Sequence, residues 1–169
     1  MRLVSEVPLG AFLSGGVDSA ALVSIAAKTF KYDVATFSII DEDERYDEYD
    51  NIKATIDDLG CRHTLVKLSE QKGLLPKLKD LIAYHDGPVL TITYFVHSLL
   101  SEQIHQNGYK VAFSGTGADE LFTGYYDHFN LHLYEMRHHR DYSQYLSDWR
   151  KHTGMYVRNP YLKDPELYS

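Results

Sequence analysis

The sequence predicts an α/β fold, a parallel sheet with helices on both faces. Three observations predict it. Short apolar runs alternate with helical stretches over the first 113 residues. The first apolar run enters a small-residue turn that leads straight into a helix former-rich stretch. Two of the four strand candidates end in glycine loops. Alternation of this kind implies right-handed crossovers and a sheet covered on both sides.

Each element has a local reason. Residues 7–13 (VPLGAFL) are apolar and stop at Ser14-Gly15-Gly16, so they read as a buried strand and a tight turn. Residues 19–29 (SAALVSIAAKT) are rich in helix formers, with apolar side chains around most of the helix, which predicts a buried helix. Residues 33–40 (DVATFSII) carry the β-branched residues of a second strand. Residues 41–44 are acidic and read as a solvated loop. Residues 47–59 place Tyr49, Ile52, Ile56 and Leu59 at roughly helical spacing, with Gly60 as the stop. Residues 64–68 form a short third strand. Residues 74–84 are helical until Asp86-Gly87-Pro88 breaks them. Residues 93–106 make another helix, closed by Asn107-Gly108. Residues 110–113 (KVAF) are the fourth strand and run into Ser114-Gly115-Thr116-Gly117. Beyond Tyr125 the chain becomes rich in Tyr and His and reads as helical as far as His152, before Gly154 and Pro160 interrupt it. The division expected is a core over residues 1–124 and a helical extension of the same domain over residues 125–169, cut short.

Composition narrows the function. The 169 residues carry 17 Lys and Arg against 24 Asp and Glu, a net charge of −7. That balance argues against a nucleic-acid partner, which needs a basic face. No apolar run approaches the ~20 residues of a membrane helix, and no N-terminal stretch has the order of a signal peptide. Cys61 is the single cysteine, so no disulfide framework forms within the chain, and the reducing cytoplasm is the simplest compartment. Cys61 lies beside a short strand and reads as a packed thiol rather than a nucleophile. His138-His139 and the pair His128 and His132 are the best histidine candidates for a metal. No neighbouring carboxylate or cysteine completes such a site, and surface or interface histidines are the simpler reading. The tyrosines after position 124 read as packing for a helical face or an interface.

The chemistry is expected in the two loops, because parallel sheets bind ligands beyond the carboxyl ends of their strands. Ser14-Gly15-Gly16-Val17-Asp18-Ser19 lets the backbone approach a ligand closely and turns N–H groups toward an anion. The following helix adds the positive end of its dipole, and the two serines add hydroxyls. The loop is not a Walker A loop, since no Gly-Lys-Ser/Thr follows. Asp18 would repel a bare phosphate unless a divalent cation lay between them. A plain glycine turn between strand and helix is the alternative. The second loop, Ser114-Gly115-Thr116-Gly117-Ala118-Asp119-Glu120, repeats the pattern. Asp119 reads either as a helix cap or, with Asp18, as one of two carboxylates flanking Mg2+ on a nucleotide.

These residues carry a resemblance. The run from Val4 to Leu13 (VSEVPLGAFL) leading into SGGVDS, then Phe37-Ser38-Ile39, Tyr46-Asp47-Glu48 and the run from Phe113 to Tyr125 (FSGTGADELFTGY), resembles the synthetase domain of glutamine-hydrolysing asparagine synthetases. That domain belongs to the ATP pyrophosphatase (PP-loop) group. A weaker echo lies at residues 154–162 (GMYVRNPYL). SGGxDS alone is shared by several PP-loop enzymes; combined with VPLGAFL and SGxGADELFxGY it is far more specific.

The resemblance implies an adenine nucleotide α-hydrolase-like, Rossmann-like fold and a ligase reaction. A carboxylate attacks the α-phosphate of ATP, giving an acyl-adenylate and pyrophosphate, and ammonia then displaces AMP to leave an amide. It implies that Ser14, Gly15, Gly16, Asp18 and Ser19 grip pyrophosphate, and that Asp18 and Asp119 bind Mg2+. It further implies that Leu13, Ile39, Ser114 and Gly115 contact the nucleotide, largely through backbone. Ile39 reads equally as a strand core residue. Thr116 departs from the pattern, because asparagine synthetases usually carry Glu there, tied to aspartyl-adenylate formation. Threonine supplies neither its charge nor a general base, so the acceptor is left open between aspartate and another carboxylate. The implied partners are that carboxylate substrate and a glutaminase domain supplying ammonia, which this chain lacks; a homodimer is common among relatives. The family's catalytic lysine would lie past Ser169, so no catalytic residue is assigned, and the chain reads as an excerpt of a longer protein. A nucleotide-binding fragment without catalysis is the alternative.

Overall fold

A computed structural model describes residues 6–43, 47–157, 160 and 163–165. Val4, Ser5 and Tyr46 of the family-like segments lie outside the described residues, as do Arg158, Asn159, Tyr161 and Leu162 of the later echo. The chain forms two compact units, residues 1–116 and 117–169.

In the first unit the apolar runs become β1 (Leu9–Phe12), β2 (Ala35–Ile40), β3 (Arg62–Lys67) and β4 (Val111–Phe113). They pair in parallel in the order β3-β2-β1-β4. Between them run α1 (Val17–Ser24), α2 (Tyr49–Leu59), α3 (Leu74–His85) and α4 (Ile92–Gln106). This is the predicted α/β fold with a parallel sheet.

The strand period of two sorts side chains to the two faces. Ala11 and Leu13 from the end of β1 join Val34, Val23 and Ala26, and Ile52 of α2, in one buried cluster. Ala35 and Phe37 of β2 point the other way and join Val66, Leu100, Ile104 and Tyr109 in a second, with α4 as the cover. Phe37 meets Tyr109 edge-on, ring centroids 5.5 Å apart, a favoured aromatic geometry. α3 lies against α4 and is tied to it by Lys77 and Glu102 at 2.6 Å. Gly60, in the left-handed conformation, closes α2 by donating its N–H to Ile56 at 2.8 Å.

Local expectations are corrected at a helix and a strand edge. The helix predicted over residues 19–29 is α1 followed by a π-helical turn, Ile25–Thr29. It is not buried all round: Ser19, Val23 and Ala26 face the sheet, while Leu22 and Ile25 are exposed. One sheet face covers one stripe of a helix, so the remaining apolar residues meet solvent. The third strand starts at Arg62 rather than Thr64, because pairing with β2 sets Ala35 opposite Arg62.

The second unit is helical: α5 (Ala118–Phe122), α6 (Tyr126–Glu135) and α7 (Tyr142–His152). Leu133, Trp149 and Val157 are its buried centre, with Tyr126, Tyr142, Tyr145 and Leu146 packed around them. The Trp149 indole donates to Asn130 Oδ1 at 2.8 Å, which satisfies a buried donor. Three tyrosines thus pack a helical face. Among the described residues no helix is long and apolar enough to cross a membrane.

Candidate functional site

The chain lays down β1, β2 and β3 in one direction, then returns to place β4 on the other side of β1. The order therefore reverses between β1 and β4, whose register pairs Leu9 with Val111 and Ala11 with Phe113. Ligands of open parallel sheets sit beyond the carboxyl ends at such a reversal. Both glycine loops leave the sheet there.

The first loop is held in shape from several sides. Leu13 is buried, its N–H donates to the Phe37 carbonyl at 2.9 Å, and its own carbonyl accepts the Ser38 hydroxyl. Ser14 and Ser19 hydroxyls lie 2.9 Å apart. The Ser14 N–H donates to Ser19 Oγ at 3.1 Å, and the Gly16 N–H to Ser14 Oγ at 3.2 Å. Ser19 Oγ is 3.1 Å from the carbonyls of both Ser14 and Gly16, either of which can accept its proton. Gly15 donates its N–H to Glu48 Oε2 at 2.9 Å. Gly16 is the N-cap of α1 and Asp18 lies in its first turn, so the helix begins inside the motif.

The second loop comes down onto this helix start. A Cβ on Gly115 would lie 2.8 Å from the Ser19 nitrogen and 3.2 Å from the Asp18 carbonyl carbon and Cβ. Only glycine passes at that distance. Ser114 Oγ donates to Thr116 Oγ1 at 3.0 Å. Within the first unit the structure brings Ser14, Gly15, Gly16, Asp18 and Ser19 together with Ser114 and Gly115 at the ends of two adjacent strands. Ile39 sits one residue before the end of β2 and packs against the second core cluster, so its strand-core role is met.

Asp119 lies in the first turn of α5, in the second unit. Its carboxylate rests against Gly124, where any Cβ would overlap Oδ1. Gly117 is the N-cap residue of α5 and Asp119 lies inside its first turn, so Asp119 is not at the cap position. Next to it, the Tyr125 hydroxyl donates to Glu120 Oε1 at 2.7 Å. That bond holds the Glu120 carboxyl below its ordinary range and pushes the Tyr125 phenol up. Thr123 ends α5 with φ +62° and ψ 149°, a region that costs any residue but glycine.

Among the described residues, no group of three or more His, Cys, Asp or Glu side chains could hold a metal ion. Of the candidate histidines, His132 and His139 pack on Tyr145 and His128 on Tyr125. Cys61 is half-buried, its sulfur 3.7 Å from Thr36 Oγ1.

Sequence reasoning quoted Ser38 and Glu48 only as parts of matching strings and gave them no task. Ser38 pins the end of β1, and Glu48 holds Gly15. The available signal was a buried hydroxyl in mid-strand and an acid at a helix start.

Comparisons with known proteins identify the family. The family model for asparagine synthase matches residues 1–167. Asparagine synthetase [glutamine-hydrolyzing] 1 of Bacillus subtilis is 36% identical over 129 residues, 74% of this chain and 19% of that protein. Amidase chyE of Penicillium rubens is 29% identical over 139 residues, 74% of this chain and 20% of that protein. The chain thus spans about a fifth of the length of these curated relatives. The NH3-dependent NAD synthetase of Campylobacter jejuni superposes with a TM-score of 0.46 at 16% identity, over 69% of this chain and 51% of that one. With the family model matched from residue 1 to residue 167, this chain belongs to the asparagine synthase family.

Proposed function

We propose that this chain is the ATP-handling part of an amide-forming ligase. A substrate carboxylate attacks the α-phosphate of ATP, forming an acyl-adenylate and releasing pyrophosphate. Ammonia then attacks the acyl carbon and AMP leaves. The observation that carries the reading is the passage of Gly115 against the Asp18–Ser19 backbone, at the sheet's order reversal. It gathers two small-residue loops at the positive end of a helix, where an anion is favoured.

Pyrophosphate becomes strongly anionic as it leaves. Donors fixed in advance around the developing charge lower the barrier most. In this reading Ser14, Gly15, Gly16, Asp18 and Ser19 form the pyrophosphate end, and Leu13, Ile39, Ser114 and Gly115 line the nucleoside end. Leu13 and Ile39 are packed side chains, so in this reading they meet the nucleotide through their backbone. Asp18 and Asp119 are the proposed Mg2+ ligands. Both offer the hard oxygen donors that Mg2+ takes, and two carboxylates leave most of an octahedral shell to phosphate oxygens and water. Bound there, the cation would offset phosphate charge and remove the repulsion at Asp18.

The ammonia source in this reading is a glutaminase domain of the natural protein, and aspartate is the first acceptor to test. A second reading changes the acceptor. Thr116 is uncharged and hydrogen-bonded to Ser114, and one relative is named an amidase. A carboxylate other than aspartate then fits the site equally.

The test is ATP–pyrophosphate exchange by the full-length protein with MgATP and a panel of carboxylates, beside calorimetry with MgATP. Exchange that requires aspartate supports the first reading; exchange with another acid supports the second. MgATP uptake without exchange on any acid indicates binding alone. No uptake by the folded protein overturns the proposal.

A further inference from the structure

Glu48 has no task in the proposed reaction, yet it hydrogen-bonds to the first loop from outside it. Gly15 donates to Glu48 Oε2 at 2.9 Å. A Cβ on Gly15 would lie 2.6 Å from Glu48 Cβ, 3.0 Å from the Glu48 carbonyl oxygen and 3.1 Å from Asn51 Cβ. The glycine is therefore pressed against the start of α2. The other end of the same peptide unit, the Ser14 carbonyl, lies within donating distance of the Ser19 hydroxyl at 3.1 Å. Both polar ends of the Ser14–Gly15 peptide thus have a partner within reach.

Glu48 is itself anchored. Its carbonyl accepts the Ile52 N–H at 3.0 Å, and Asp47 Oδ1 accepts the Tyr49 N–H at 2.9 Å, so the first turn of α2 is closed. Ile52 is 1% exposed in the core cluster that also holds Ala11 and Leu13. A chain of contacts runs from the core through Ile52 and Glu48 to the loop.

We propose that Glu48 is a positioning residue for phosphate binding, an inference that rests on the nucleotide reading above. It turns the Gly15 N–H toward α2 and away from the ligand. The grip on phosphate then falls to the Ser14 and Ser19 hydroxyls and the first-turn amides of α1. Gly15 contributes by allowing the close pass, not by its N–H. A carboxylate suits the role because a charged acceptor holds an amide more strongly than a neutral one.

The test compares Glu48→Ala and Glu48→Gln in the full-length protein, with pyrophosphate exchange at varied MgATP and hydrogen exchange of the Gly15 amide. Glu48→Ala is expected to lower kcat/KM for MgATP by about threefold to tenfold, the loss of a charge-assisted hydrogen bond discounted for exposure. Glu48→Gln keeps a carbonyl acceptor and is expected to restore most of the rate. Tighter MgATP binding in Glu48→Ala would mean that the carboxylate competes with phosphate, and overturns the proposal; so does an unchanged rate. A wild type that neither binds nor exchanges removes the nucleotide reading. Gly15 protection lost in Glu48→Ala and kept in Glu48→Gln still supports the positioning contact in that case, and equal protection in all three proteins overturns it.

Discussion

Replacing Gly115 with Ala adds one methyl group where the second loop passes the start of α1. The new Cβ would lie 2.8 Å from the Ser19 nitrogen and 3.2 Å from two Asp18 carbons. These positions fall roughly 0.5 Å short of ordinary contact. The obstruction is mostly backbone of a helix whose Ser19 and Val23 are buried, so no side chain can swing aside. The loop must move instead. β4 has three residues and Val111 at its start is exposed, which makes it the weaker anchor. Overpacking of this size costs about 1–3 kcal/mol of stability. Misplacing a reacting group by about 1 Å can cost about a hundredfold, so half that shift gives about tenfold in exchange rate. The assay pairs thermal unfolding with pyrophosphate exchange on Gly115→Ala, and on Gly87→Ala as the control. At Gly87 the nearest atom to a new Cβ is the His85 carbonyl oxygen at 3.7 Å, so the control should behave like the parent. If Gly115→Ala matches Gly87→Ala in both measurements, the loops do not meet as described.

Three further outcomes are expected. Thr123→Gly should raise the unfolding midpoint, because it relieves a backbone conformation costing about 1–3 kcal/mol, less about 0.5–1 kcal/mol for glycine's freedom in the unfolded chain; a lower midpoint refutes the strain. Burial lowers the His63 imidazole pKa below its ordinary 6.5. The unfolded chain therefore binds the extra proton first. The stability held by neutral His63 is complete above pH 6.5 and is lost as pH falls from there through the folded-state value. Urea titrations across that window should show a shallower pH slope for His63→Gln, and an unchanged slope refutes the assignment. Tyr125→Phe removes the hydroxyl that holds down the Glu120 carboxyl, so its titration followed by NMR should move to higher pH; an unmoved curve means the bond is absent in solution.

The order of strands and helices was legible because burial writes itself into local patterns: apolar runs for β1 and β2, helical spacing for α2. The edges were less legible. β1 starts at Leu9, not Val7, since Pro8 has no N–H to give the ladder and Val7 is exposed. β3 begins at Arg62 and His63, whose side chains do not announce a strand; the register with β2 imposes it. Nothing in the letters FTGY marks Thr123, and only its dihedral angles reveal the strain. Glu48 touches Gly15 from 33 residues away in the chain, and composition carries no trace of such a pairing.

The motif residues act either within the loops or on them from a distance. The glycines and serines were readable at once because their chemistry is local: a missing side chain or a short hydroxyl beside a turn. Ser38, Glu48 and Gly124 act on other residues. Ser38 fixes the Leu13 carbonyl before the first loop, Glu48 fixes the Gly15 amide within it, and Gly124 leaves room for the Asp119 carboxylate. The first loop is thereby ordered by β2, α2 and its own serines. A loop already ordered loses little conformational freedom when an anion binds, so more of the contact energy remains as affinity. The same order also places donors before charge develops, which is the condition for electrostatic catalysis. In the proposed reaction, a side chain outside the loop can therefore still alter the rate. Changing Ser38 to Ala would show this, because it frees the Leu13 carbonyl while leaving every hydroxyl of the loop in place.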